Sequence, residues 1–163
     1  MTFARRRGET SRPGAPDGRP GRMDIVLEPA VDPEARRRVA EALLAFNAGF
    51  LGPYDPRPVT LALRDGPGGR IDGGLWGRIA HRWLFVEMLF VPESARGRGL
   101  GGALLARAEA EARAAGCVGV WLDTFSPDAK RFYERNGFRE AGAIADQPPG
   151  RARWLMAKRL DGA

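Results

Sequence analysis

The chain has 163 residues, a formal net charge of +6, one cysteine and one histidine. A lone cysteine excludes an intrachain disulfide, and one cysteine with one histidine excludes the usual Cys/His zinc sets. No apolar run approaches the ~20 residues of a membrane span, 44% hydrophobic residues suit one soluble domain with an ordinary core, and the single cysteine is compatible with a reducing, cytoplasmic setting.

The sequence pI of about 10.6 invites a nucleic-acid partner, but the charge is unevenly spread. Residues 1–22 hold six arginines against Glu9 and Asp17, a net +4, which leaves +2 of the total +6 for residues 23–163. This Gly-, Pro- and Arg-rich tail has no apolar segment of a secretory signal, and too little apolar surface to offset its ordering entropy, so it is expected to be disordered. Two explanations stand side by side. Met23 is the true start or the tail is a solvated extension; alternatively, the tail makes weak, salt-sensitive contacts with a polyanion.

From Met23 the elements follow in order. Met23–Glu28 reads as a short first strand. Asp32-Pro33-Glu34 opens a helix, with Asp32 as N-cap and Pro33 at the first helical position. Val39, Leu43, Leu44 and Phe46 give it one apolar face, and it is expected to end near Gly49. Phe50–Pro58 reads as a loop, Val59–Leu63 as a strand and Asp65–Gly69 as a turn. Ile71–Ala80 is a glycine-broken strand, joined tightly through His81-Arg82 to Trp83–Val91. That last strand is apolar on both faces, so it is expected to be central.

A glycine-rich turn comes next, then a helix to about Ala115 closed by Gly116. Val118–Asp123 is a strand. Ser126-Pro127-Asp128 starts another helix, which stops at Asn136-Gly137. Phe138–Ala145 and Arg153–Leu160 are final strands around the turn Gln147–Gly150. The sum is an α/β (α+β) domain over residues 23–163, with a mixed sheet of about six to seven strands flanked by helices.

The turn between Val91 and Gly102 carries the chemistry. A strand, a glycine-rich loop and a helix N-terminus present free N–H groups and a favourable dipole to an anion. Gly97, Gly99, Gly101 and Gly102 let the backbone approach a phosphate. No lysine precedes Lys130, which excludes a P-loop. Gly97-Arg98-Gly99-Leu100-Gly101-Gly102 has dinucleotide-fold spacing, but it follows the fourth expected strand rather than the first. A third pattern, Arg-x-x-Gly-x-Gly, is met by Arg96, Gly99 and Gly101. Farther on stands Ala129-x-x-Phe132-Tyr133-Glu134-x-x-Gly137-Phe138, with Phe132 lying 31 residues after Gly101.

With both motifs at this spacing and in this element order, the chain resembles the GCN5-related N-acetyltransferases, the GNAT superfamily. Trp121–Ser126 and Pro148-Pro149-Gly150 further resemble one subgroup of small bacterial acetyltransferases. The resemblance implies an acyltransferase fold with splayed central strands. It implies transfer of an acetyl group from acetyl-CoA to a primary amine of a small molecule or peptide. The amides of Arg96, Gly97, Arg98, Gly99, Leu100, Gly101 and Gly102 would hold the pyrophosphate. The strand edge at Leu89, Phe90 and Val91 would hydrogen-bond the pantetheine arm. Arg96 and Arg98 are either phosphate contacts or solvated loop residues. Ser126, where the family commonly has asparagine, and Phe132 complete the cofactor side.

Tyr133 matches the family tyrosine beside the sulfur and is the candidate general acid. Glu87, the lone charge within Trp83–Val91, is the candidate base. Its expected burial would push its pKa upward; otherwise it faces water or pairs with an arginine. Asp123 is the runner-up base or an amine-binding carboxylate, or else a turn cap. On the acceptor side stand Phe50, Tyr54 and Trp83, against a plain core role for such aromatics. Cys117 reads as buried and His81 as an exposed turn residue. A degenerate fold that only binds acyl-CoA is the rival function. Dimers are common in the family, so the resemblance makes a homodimer one possible assembly, with the last two strands as its candidate interface.

Overall fold

The computed structural model describes residues 24–162; the tail at residues 1–22 and Met23 lie outside them. The elements are α1 (Pro33–Leu51), β1 (Arg57–Arg64), β2 (Ile71–Ala80), β3 (Trp83–Phe90), α2 (Leu100–Ala114), β4 (Gly119–Thr124), α3 (Pro127–Arg135), β5 (Arg139–Ala145) and β6 (Ala152–Arg159). A single 3-10 turn, Glu93–Ala95, precedes the glycine loop. The six strands form one sheet in the order β1-β2-β3-β4-β6-β5. All neighbours run antiparallel except β3 and β4, which are parallel and joined through α2.

One expectation fails. Asp24–Glu28 forms no strand, and Ile25, Val26 and Leu27 are exposed. Three consecutive apolar residues suit a strand covered on both faces. The site open to it, outside β1, is the edge of a sheet that α2 covers on one side. The helix boundaries also move. α1 runs two residues past Gly49, to Leu51, and is closed by Gly52 in the left-handed region at φ 79°. Its start is as the sequence implies: the Asp32 carboxylate accepts from the Glu34 amide at 2.9 Å, with Pro33 next. Yet α1 has no buried residue, and Val39, Leu43, Phe46 and Phe50 are all exposed.

The core lies between the sheet and the pair α2 and α3. Leu75, Ile79, Leu84, Val86, Val120, Leu122 and Met156 point to this side, against Leu104, Leu105, Ala108, Tyr133 and Phe138. Alternation puts Trp76, Arg78, Phe85, Trp121, Asp123 and Ala157 on the opposite face, which no helix covers among the described residues. There the Trp83 ring occupies the space above Gly119, where a Cβ would stand 2.3 Å from a ring carbon. His81 and Arg82 make the β2–β3 turn with φ of 47° and 63°, the two left-handed residues of a tight hairpin.

One buried charge ties the helices to the sheet. Glu109 of α2 is almost fully buried and accepts from Lys158 Nζ of β6 at 2.6 Å. Lys158 also donates to the Asn136 carbonyl at the end of α3 at 2.9 Å. Arg113 approaches Glu109 more loosely, at 3.4 Å. Removing one partner of a buried pair strands the other charge. Lys158→Met is expected to cost about 2 kcal/mol in urea denaturation, less than for a sealed pair because Arg113 remains. A loss below about 0.5 kcal/mol would contradict this role for the pair.

Candidate active site

The site starts from a fault in the sheet. β3 and β4 pair only at Trp83/Gly119, Leu84/Val120 and Phe85/Trp121. Beyond those residues β3 stays with β2 as far as Phe90, and β4 stays with β6 through Thr124. Each strand therefore keeps its outer neighbour and loses its inner one. Glu87 sits at a bulge in β3: Trp76 pairs with Met88 and Gly77 with Val86, so Glu87 has no partner in the ladder. A bulge bends and twists its strand, which turns β3 away from β4. The freed inner edge includes Leu89 and Phe90, and Val91 follows it. Their backbone groups can pair with an extended amide chain as another strand would.

At the end of β3 the chain turns through the glycine loop. Arg96 donates from Nε to the Val91 carbonyl at 3.2 Å, so this arginine braces the loop against the strand. Gly97 and Gly99 have φ of 73° and 76°, which only glycine adopts at little cost. None of the N–H groups from Gly97 to Gly102 donates to a protein acceptor among the described residues. They sit at the positive end of α2 and suit a pyrophosphate. Gly101 faces α3 closely: a Cβ there would lie 3.0 Å from the Phe132 ring.

These residues line one groove of about 650 Å³, bounded by the β3 edge, the loop, Ser126, Phe132 and Tyr133. Every residue expected on the cofactor side reaches it except Arg98. Arg98 instead lines a separate hollow beside Arg64 and Arg70. Asp128 and Arg135 also line the groove and were missed, having no motif of their own; Ala129, which opens the second motif, lines it too. Ser126 is the N-cap of α3, its hydroxyl accepting from the Ala129 amide at 3.2 Å. Tyr133, only 8% exposed, is fixed edge-on between Phe132 and Phe138. Burial, and then the charge of Asp123, push its phenol above the ordinary tyrosine range, so it stays protonated near neutral pH.

The opposite face of the fault carries the carboxylates. Glu87 is not buried as expected: its side chain is 36% exposed and ion-paired with Arg78 of β2. The bulge and the bare face put it in water's reach. Asp123, 15% exposed, accepts from Arg153 Nε at 2.7 Å. Between them Phe85 and Trp121 stack at 4.1 Å, where the strands part. They join Tyr54, His81 and Trp83 around a shallow hollow of about 500 Å³. Tyr54 lies 5.8 Å from the His81 ring, so His81 has a neighbour. Phe50 is not brought in; it remains on α1 beside Phe46. Cys117 is buried in the core, and burial raises its thiol, as an inert cysteine requires. The described residues contain no group of three or more potential metal ligands and no helix long and apolar enough to cross a membrane.

The chain is similar to several known proteins. The model of the acetyltransferase (GNAT) domain matches residues 56–140. An acetyltransferase of Agrobacterium fabrum is 40% identical over 138 residues, covering 85% of this chain and 100% of that protein. A blasticidin-S acetyltransferase of Streptomyces morookaense is 46% identical over 106 residues, 64% of this chain and 78% of that protein. The crystal structure of an acetyltransferase from Agrobacterium tumefaciens matches with a TM-score of 0.78 at 40% identity, covering 85% of this chain and 100% of that one. Acetyl-CoA is the donor in this family, and the open amides and strand edge fit its pyrophosphate and pantetheine arm. The chain belongs to the GCN5-related N-acetyltransferase superfamily and is an acetyltransferase.

Proposed function

We propose that the protein acetylates a primary amine of a small molecule or peptide directly from acetyl-CoA, with Glu87 as general base and Tyr133 as general acid. The observation that carries this is the parting of β3 and β4, with a protonated phenol on one face and an open carboxylate on the other. An amine attacks only when neutral, and an alkylammonium has a pKa of about 10.4. Glu87, directly or through a water, takes that proton. The amine nitrogen bonds to the acetyl carbon and the carbon–sulfur bond breaks. Tyr133 gives its phenolic proton to the departing thiolate. Both carboxylates are paired with an arginine, and Asp123 is the weaker candidate for the base because it is less open than Glu87.

Acceptor identity is the finer question. The 46% identity to a blasticidin-S acetyltransferase makes blasticidin S the first acceptor to offer. The test is release of free thiol from acetyl-CoA, followed with a chromogenic disulfide, on adding blasticidin S or a panel of simple amines. Amine-dependent release is expected. Tight donor binding with no release for any amine would leave a module that only binds acyl-CoA.

Tyr133→Phe is expected to lower kcat at least about 100-fold while acetyl-CoA affinity stays within about threefold. Because the acid must be protonated, wild-type kcat is expected to hold through neutrality and to fall only as pH rises above about 10, through the raised phenol pKa. A Tyr133→Phe protein with normal kcat would remove this residue from the mechanism. Gly99→Val forces a branched side chain into the left-handed region at φ 76°. Acetyl-CoA affinity is expected to fall by more than about tenfold, measured by calorimetry. A folded Gly99→Val protein with unchanged affinity would sink the pyrophosphate assignment.

A further inference from the structure

The two arms of the parted sheet repeat one device. On one arm Arg78 pairs with Glu87 and lies 4.9 Å from the centre of the Phe85 ring. On the other, Arg153 pairs with Asp123 and lies 5.0 Å from the centre of the Phe125 ring. The stacked Phe85 and Trp121 stand between them at the closed end of the fault. The arms are not equivalent. Glu87 is 36% exposed, and Asp123 only 15%. Arg153 spends only Nε on Asp123, and neither of its Nη atoms donates to a protein group among the described residues. Its guanidinium is therefore braced on one edge by a carboxylate and across one face by a ring, with donors left over. Such a group is pre-organised to receive a second carboxylate, in the fork geometry that arginine offers and lysine does not.

Resting on the acetyltransferase reading above, we propose that Arg153 determines acceptor specificity by binding a carboxylate on the acceptor, so that the preferred substrates are zwitterionic amines. The acceptor's ammonium meets Glu87 on the β3 arm and its carboxylate meets Arg153 on the β4–β6 arm. The body between them lies on Phe85 and Trp121. This ordering gives Asp123 a positioning role: it holds Arg153 and does not receive the amine. A cationic acceptor without a carboxylate would bring positive charge towards Arg78 and Arg153 with nothing to satisfy the free Nη donors.

The experiment compares matched amines under saturating acetyl-CoA, with thiol release as the signal. The probes are straight-chain ω-amino acids of two to six carbons, each set against the alkylamine of equal length, and L-phenylalanine against phenethylamine. Expected is a preference for the carboxylate-bearing member in at least one pair, about tenfold or more in kcat/KM, carried by KM. Arg153→Met is expected to erase that preference, and Arg153→Lys to restore part of it. If Arg153→Met fails to fold, the wild-type comparison with Arg153→Lys decides. Equal kcat/KM within every pair overturns the proposal, while turnover itself keeps the acetyltransferase reading. A preference that survives in Arg153→Met makes the Asp123–Arg153 pair purely structural and overturns it too. Absence of turnover with every one of these amines while blasticidin S is acetylated overturns the specificity proposal alone; absence with blasticidin S as well, despite acetyl-CoA binding, overturns both readings.

Discussion

Everything at this site depends on β3 and β4 running side by side for three residue pairs and then parting. A parallel pair buried in a sheet normally keeps its ladder, because unpaired backbone groups away from water are costly. Here each strand is held by its outer neighbour, β2 or β6, well past the point of separation. The cost falls only on the inner edges. An amide-bearing chain that enters the gap recovers that cost. The donor-binding role proposed for this edge would complete the sheet. The bulge at Glu87 sets where the parting begins and also lifts the carboxylate out of the ladder.

The two faces of the sheet then divide the work. α2 and α3 cover one face, seal the core and deliver the glycine loop and Tyr133. The Glu109–Lys158 pair locks α2, β6 and the end of α3 together, so the helix N-terminus and the phenol keep a fixed relation. The other face is half-wet and carries aromatic rings and two carboxylate–arginine pairs. The separation of a packed, helix-covered face from a wet, polar one follows from strand alternation.

Much of this was legible in the sequence, and the failures have physical reasons. The glycine loop and the Phe132-Tyr133 segment are local signals, and their turn and capping chemistry needs no tertiary context. Gly97, Gly99, Ser126 and Tyr133 accordingly line the groove they were expected to line. Of the two readings of Glu87, burial fails and the wet, arginine-paired one holds, because a lone charge in an apolar strand says nothing of a bulge or of an uncovered face. Arg78 and Arg153 were missed because their partners are set by strand register, and Arg153 stands 30 residues from Asp123. The strand expected at Met23–Glu28 rested on composition, and composition cannot supply a neighbouring edge. Phe50 was placed near the acceptor by its aromatic character, yet α1 holds it exposed beside Phe46.

The central claim is that the parted strands and the glycine loop form a donor site for acetyl-CoA. Calorimetric titration of the purified protein with acetyl-CoA, with NAD and ATP as controls, tests it most directly. Saturable one-site binding in the micromolar range for acetyl-CoA alone is the predicted result. Absence of acetyl-CoA binding, or equal binding of NAD or ATP, would contradict it.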